Sequence, residues 1–301
     1  MSRGNDFDER DDDRIGEEDR SVRDPGRTSG TAQQPERPSP ELVRIERRAQ
    51  GRGSLRTIEK LSRLSDRERR TLREIGRFRT IATDALTKHQ YTGMAGAMRK
   101  EIARLQQHGL LQRRSISVGK KRNTLTIVAL TKEGARLIRE DPSLPEKQAV
   151  YAGFVKPAEV PHDAAIYEMY QAEAAEIQAK GGKIRRIVLD YEVKKEVYSK
   201  LVRVQDSGAL EYARRQQEIA AEHRLPLVDG RIVLPDLRIE YENPEGDLDH
   251  VDLELATEHY HRGHMAVRAR AGFKMYGFVS TSRGRRAKWE GRELSAAVLS
   301  L

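Results

Sequence analysis

The sequence predicts an α+β protein made of two folded parts behind a disordered tail. Three observations predict this. The first 40 or so residues contain almost nothing apolar. A middle segment moves from helical periodicity into two alternating β runs around a basic turn. A later segment brackets short β-rich runs between long helical patterns.

The tail is rich in Asp, Glu, Arg, Gly, Ser and Pro and closes in Pro35-Glu36-Arg37-Pro38-Ser39-Pro40. Such a chain cannot bury enough surface to offset its entropy. A basic linker with Arg47, Arg48, Arg52 and Arg56 follows, so 1–60 is read as charged tail and linker. Net charge is +9 with 34% charged residues, a balance that favours a nucleic-acid partner. No run approaches the roughly 20 apolar residues of a membrane span, and the acidic N-terminus lacks a signal-peptide core. A cytoplasmic protein with no membrane partner is expected. With no cysteine, disulfides, thiolate nucleophiles and cysteine-bound metals are excluded, and any metal must be held by Asp, Glu or His.

The first folded part is expected over 61–141. Ser65 and Glu68 have the spacing of a capping box, and Leu72, Ile75 and Phe78 recur at helical spacing behind it. A short helix fits 83–88. A third fits 93–108, with Met94, Met98, Ile102 and Leu105 on one stripe, Gly109 as its stop, and Arg99, Lys100 and Arg104 off that stripe. Strands over 112–118 and 124–130 flank the turn Gly119-Lys120-Lys121-Arg122-Asn123, and a last helix starts at Thr131. Three helices and then a hairpin with a basic tip is the order of a winged helix-turn-helix.

The run His108-Gly109-Leu110-Leu111, the hairpin, and Leu130-Thr131-Lys132-Glu133-Gly134 resemble the wing and exit helix of MarR-like and PadR-like domains. The resemblance implies binding to double-stranded DNA, with Arg99, Lys100 and Arg104 in the major groove and Lys120, Lys121 and Arg122 on the wing. The alternative is a winged helix used for protein docking.

The second part is expected over 158–280. A helix runs from His162-Asp163 to about Lys180 and is stopped by Gly181-Gly182. A strand over 183–192, a charged helical insertion over 194–223, a hairpin-like pair around Asp229-Gly230 and extending to Glu242, a strand over 250–255 and a helix over 257–278 follow. Asp236 then falls near one strand and Glu254 on the next. That placement is similar to the PD-(D/E)xK nuclease fold, which implies Mg²⁺ or Mn²⁺ as cofactor, held by Asp236, Glu254 and a first-helix acid, Glu168 or Glu173. Ala256 stands where that family carries its lysine; Lys274, expected on the last helix, is the substitute, completing a catalytic set of Asp236, Glu254 and Lys274. The bland alternative makes Asp236 a turn former and Glu254 an edge-strand charge.

Across 65–278 the chain also resembles the replication-relaxation family of plasmid and integrative-element proteins, through His162-Asp163, Gly181-Gly182, Glu192, Pro235-Asp236, Glu254, Thr257-Glu258 and Lys274-x-Tyr276. This implies a DNA-binding protein acting in replication, relaxation or transfer of DNA, including metal-dependent nicking. Homodimerisation and contact with replication or mobilisation proteins fit the same role. The alternative is a winged-helix transcriptional regulator or accessory factor with an inactive nuclease-like domain. His259, His261 and His264 echo the histidine pair of relaxases, but a helix start would splay residues two apart by about 200°. The basic tail 281–301, with Arg285, Arg286, Lys288 and Trp289, is either a phosphate contact or a solvated tail.

Overall fold

The computed structural model describes residues 59–118, 123–202, 208–256 and 262–277. The tail up to 58, the hairpin tip and the basic tail 281–301 lie outside them. The described architecture is α+β, and no described helix is long and apolar enough to cross a membrane.

Helix α1 (Asp66–Arg77) starts at the expected box: the Glu68 amide donates to Ser65 Oγ at 3.2 Å and the Ser65 amide donates to Glu68 Oε2 at 2.8 Å. These bonds satisfy two of the amides that a helix start leaves without partners. β1 (Ile81–Ala82) leads into α2 (Thr83–Gln90), and a tight turn with positive φ at Thr92 and Gly93 leads into α3 (Ala95–Gln107). Gly109, at φ +68°, ends α3, with the Leu110 amide donating to Leu105 O and the Gly109 amide to Gln106 O. That is the paired C-terminal closure that a left-handed glycine permits. Met98, Ile102 and Leu105 are buried as the stripe requires, but Met94 is 53% exposed: it precedes the helix instead of lying within it.

β2 (Leu111–Val118) and β3 (Asn123–Leu130) pair antiparallel, from Leu111 opposite Leu130 to Val118 opposite Asn123, and β1 adds to the far side of β3. α4 (Lys132–Arg139) is capped by Thr131, whose hydroxyl accepts from the Gly134 amide at 3.0 Å. Gly134 is required by close approach, because a Cβ there would sit 2.1 Å from the Leu110 carbonyl oxygen. Gly134→Ala must push that backbone away, and an overpacking loss of about 1–3 kcal/mol is expected. Chemical denaturation checks this; an unchanged midpoint would show that α4 does not need the contact.

The second lobe opens with α5 (Val160–Ala179), closed by Gly181 at φ +85°. β4 (Lys183–Leu189) is shorter than the strand read over 183–192, because α6 (Asp190–Leu201) starts at once and takes Glu192 with it. α7 (Ala209–Glu222) completes the insertion. β5 (Leu227–Val228) and β6 (Arg231–Ile232) form a separate hairpin whose turn, Asp229-Gly230, has positive φ at both positions, as two-residue turns of this hand need. Pro235 separates it from β7 (Leu237–Glu242), so the long run read over 231–242 is two strands in different sheets. β8 (Leu248–Ala256), α8 (Arg262–Arg270) and β9 (Lys274–Gly277) follow.

The four-stranded sheet has the order β4-β7-β8-β9, antiparallel except for β9, which runs parallel to β8. The helix read over 257–278 is therefore corrected: α8 is short, Gly272 at φ +79° turns the chain, and Lys274 and Tyr276 lie on a strand. α5 joins the lobes. Tyr167 and Tyr170 meet Phe78 with ring centroids 5.0 Å apart, and one buried cluster runs from Leu61 through α5 to Leu253, Leu255 and Tyr276. A helix covered on both sides has no single apolar stripe, and α5 has apolar residues around most of its circumference.

Candidate functional site

Two places carry the chemistry that the sequence suggested. The first is the outer surface of α3. Its orientation is fixed by Glu101, which is buried beneath it and accepts from Arg67 Nε at 2.8 Å, from Thr71 Oγ1 at 3.0 Å and from the Tyr91 hydroxyl at 2.5 Å. Burial, followed by the Glu101 hydrogen bond, raises the Tyr91 phenol well above its ordinary range, so it stays a donor. The buried network holds α1, α2 and α3 in one arrangement. Arg99, Lys100 and Arg104 of α3 are all exposed. Arg104 also reaches back, its Nε 3.3 Å from Glu68 Oε1. Lys120, Lys121 and Arg122 fall outside the described residues, although both strands leading to them are described. The sequence reading missed Arg113 and Arg114 on β2. Arg114 lies over the Phe154 ring at 4.6 Å, and Arg113 lines a cleft with Arg99.

The second place is the carboxylate set of the second lobe. Asp236 sits just before β7; its Oδ2 accepts from the Leu255 amide at 2.9 Å, and its own amide donates to Leu253 O. It faces His162 at the start of α5, whose Nε2 is 3.6 Å from Asp236 Oδ1 and whose Nδ1 is 3.8 Å from Asp163 Oδ1. The Asp163 and Asp236 carboxylates outweigh burial and raise the imidazole pKa to about 10, so His162 is an imidazolium between two acids at neutral pH. Arg79 and Asp190 line the same small pocket, and Lys194 donates to Asp190 Oδ2 at 2.9 Å. Burial disfavours the Lys194 ammonium, but Asp190 and then Asp236 outweigh it and raise its pKa. His162 and Asp163 are legible in the sequence as a pair, but their convergence on Asp236 depends on the tertiary fold.

The other residues proposed for this site are placed elsewhere. Glu254 is on β8 with only 1% of its surface exposed, and Arg268 Nε of α8 donates to its Oε1 at 2.9 Å. Lys274 pairs across β8–β9 with Leu253, and Tyr276 with Leu255, on the face that meets α5. There Lys274 Nζ lies 2.8 Å from both Glu173 and Glu176, and Tyr276 donates to Glu173. Burial would lower the Lys274 pKa, but these two acids raise it overall, which makes the side chain a fixed cation and not a proton carrier. Strand alternation puts Glu254 on the opposite face from Lys274. Glu168 points to α2, accepting from Lys88 at 2.9 Å and pairing with His89 at 2.8 Å. Burial opposes the Glu168 charge, but His89 and Lys88 prevail and lower its pKa.

Asp236, Glu254 and Glu168 thus each meet a different partner: the Leu255 amide, Arg268, and Lys88 with His89. Among the described residues no three His, Asp or Glu side chains converge where one ion could be held. His259 and His261 lie outside the described residues; His264 is on α8, lining a groove with Arg231, Val233 and Arg268. Comparison with protein-family models, curated proteins and solved structures gave no match.

Proposed function

We propose that this protein binds double-stranded DNA through α3 and the β2–β3 hairpin. The observation that carries the reading is the exposed row Arg99, Lys100 and Arg104 on a helix held rigidly next to a hairpin whose turn sequence is Gly119-Lys120-Lys121-Arg122. The order α1-β1-α2-α3-β2-β3, with β1 added to the hairpin, supports a winged helix-turn-helix, in which α3 enters the major groove and the hairpin follows the backbone. A net charge of +9 supplies the long-range attraction.

In the second lobe, a helix, three antiparallel strands, a helix and a parallel fourth strand support the nuclease-like reading. Its acids are engaged in ion pairs and backbone contacts, which favours an accessory role over cleavage. The role that fits is a DNA-binding accessory factor in the replication, relaxation or transfer of a plasmid or integrative element, as the resemblance to the replication-relaxation family implies. Fluorescence anisotropy of a labelled duplex across a KCl series tests the binding. Affinity should fall steeply, with a log–log slope of about −0.9 for each phosphate neutralised; equally weak binding at low and high salt would count against the proposal.

A further inference from the structure

We propose that Arg99 of α3 and Arg113 of β2 hold a single DNA phosphate between them, in the cleft where α2, α3 and the sheet meet. The inference rests on the DNA-binding reading above and adds a contact that the helix-and-wing description lacks. Arg99, Arg113, Asp84, Thr83, Thr87 and Thr126 line this cleft.

Among the described residues of this lobe, Arg70, Arg99, Arg113, Arg114 and Arg139 have no carboxylate partner; Arg114 lies over Phe154 and Arg139 donates to Val150 O, whereas Arg99 and Arg113 line one cleft together. Arg67 is bonded to Glu101, Arg73 faces Asp141, Arg77 is bonded to Glu74, Arg79 to Glu159 and Arg136 to Glu133, and Arg104 faces Glu68. Among the described residues, no carboxylate lies within ion-pair distance of Arg99 or Arg113, yet both side chains are exposed and line one concave surface. Two like charges sharing a cleft repel each other, and a bound anion would relieve that repulsion. Guanidinium forks match phosphate oxygens in shape and donor number.

Ala95, Met98 and Ile102 supply the apolar part of the lining, and its other polar groups favour a phosphate over a base edge. Thr87 Oγ1 donates to the Thr83 carbonyl at 2.8 Å, and Thr126 Oγ1 is paired with Ser115 Oγ at 3.1 Å, so these hydroxyls are already engaged within the protein. Among the described residues, Asp84 is the only carboxylate lining the cleft and offers acceptors alone, so it opposes an anion without blocking the two forks. The site would therefore carry two positive charges against one negative.

The test uses the full chain and a labelled duplex of about three helical turns across a KCl series, with Arg215→Gln as a control on distant α7. If the two arginines share one phosphate, Arg99→Gln and Arg113→Gln each weaken binding about tenfold with little change in salt slope. The double variant then loses about one slope unit, and Asp84→Asn binds more tightly than wild type. Unchanged binding by Arg113→Gln overturns the proposal. So does a loss of about one slope unit in each single variant, which would mean two separate phosphates, or weaker binding by Asp84→Asn. If wild type itself fails to bind duplex at low salt, the DNA-binding reading fails, not this contact alone.

Discussion

Replacing Arg99, Lys100 and Arg104 together with glutamine is expected to lower affinity for duplex DNA by about a thousandfold or more at moderate salt. All three are exposed on the outer side of α3, and each charge-assisted bond to a phosphate contributes roughly 1.5 kcal/mol or more. The salt slope should fall by about two units and not three, because Arg113 still holds the phosphate that Arg99 shares. Arg104 has a second role: it faces Glu68, the buried acid of the capping box, so its loss also removes a partner from an internal acid. Melting the triple variant in parallel separates the two effects. A binding loss of less than about fivefold in a fully folded variant would mean that this face of α3 does not contact DNA.

Arg238→Met is expected to destabilise the protein by about 3–5 kcal/mol. Arg238 and Asp252 lie opposite each other on β7 and β8, each with a side chain only 9% exposed. Arg238 Nε and Nη2 donate to the two Asp252 oxygens at 2.6 and 2.7 Å. Its Nη1 and Nη2 also donate to the carbonyls of His223 and Arg224, at 2.6 and 3.0 Å. One guanidinium thus neutralises a buried acid and ties the end of α7 to the sheet. Its removal leaves Asp252 with His250 Nε2, 4.0 Å away, as its remaining ion-pair neighbour among the described residues and strips two carbonyls of their donors. Asp252→Leu in the same background should recover much of the loss, since replacing both partners of a buried pair is far less costly than breaking it. Urea midpoints at unchanged m-value measure this; a loss below about 1 kcal/mol would show that solvent reaches the pair.

Much of the fold was legible where its signals are local. Ser65 with Glu68, Gly109 after the apolar stripe, Thr131 before α4 and Asp229-Gly230 in the small hairpin each specify a backbone conformation from neighbouring residues. The misplaced end of the second lobe has an equally local cause. Phe273, Met275 and Tyr276 extend the apolar pattern that precedes them, so α8 and β9 read as one helix. Gly272 was the signal that separates them.

The candidate site was less legible because its side chains are paired across long stretches of sequence. Lys274 and Tyr276 find their acids on α5, 98 and 103 residues earlier, and Glu168 finds Lys88 and His89 in the other lobe. Asp236 and Glu254 do come to adjacent positions in the sheet, as their spacing suggested. However, one is turned toward the Leu255 amide and His162 and the other toward Arg268. Spacing along strands predicts that two acids are near each other; it does not predict which cation each will meet.

The most direct test of the central claim is amide hydrogen exchange of the full chain with and without saturating duplex DNA at low salt. Slowed exchange is expected over 93–107 and 111–130, covering α3 and the hairpin, with 183–277 essentially unchanged. Protection confined to the second lobe, or absent from both, would contradict the account.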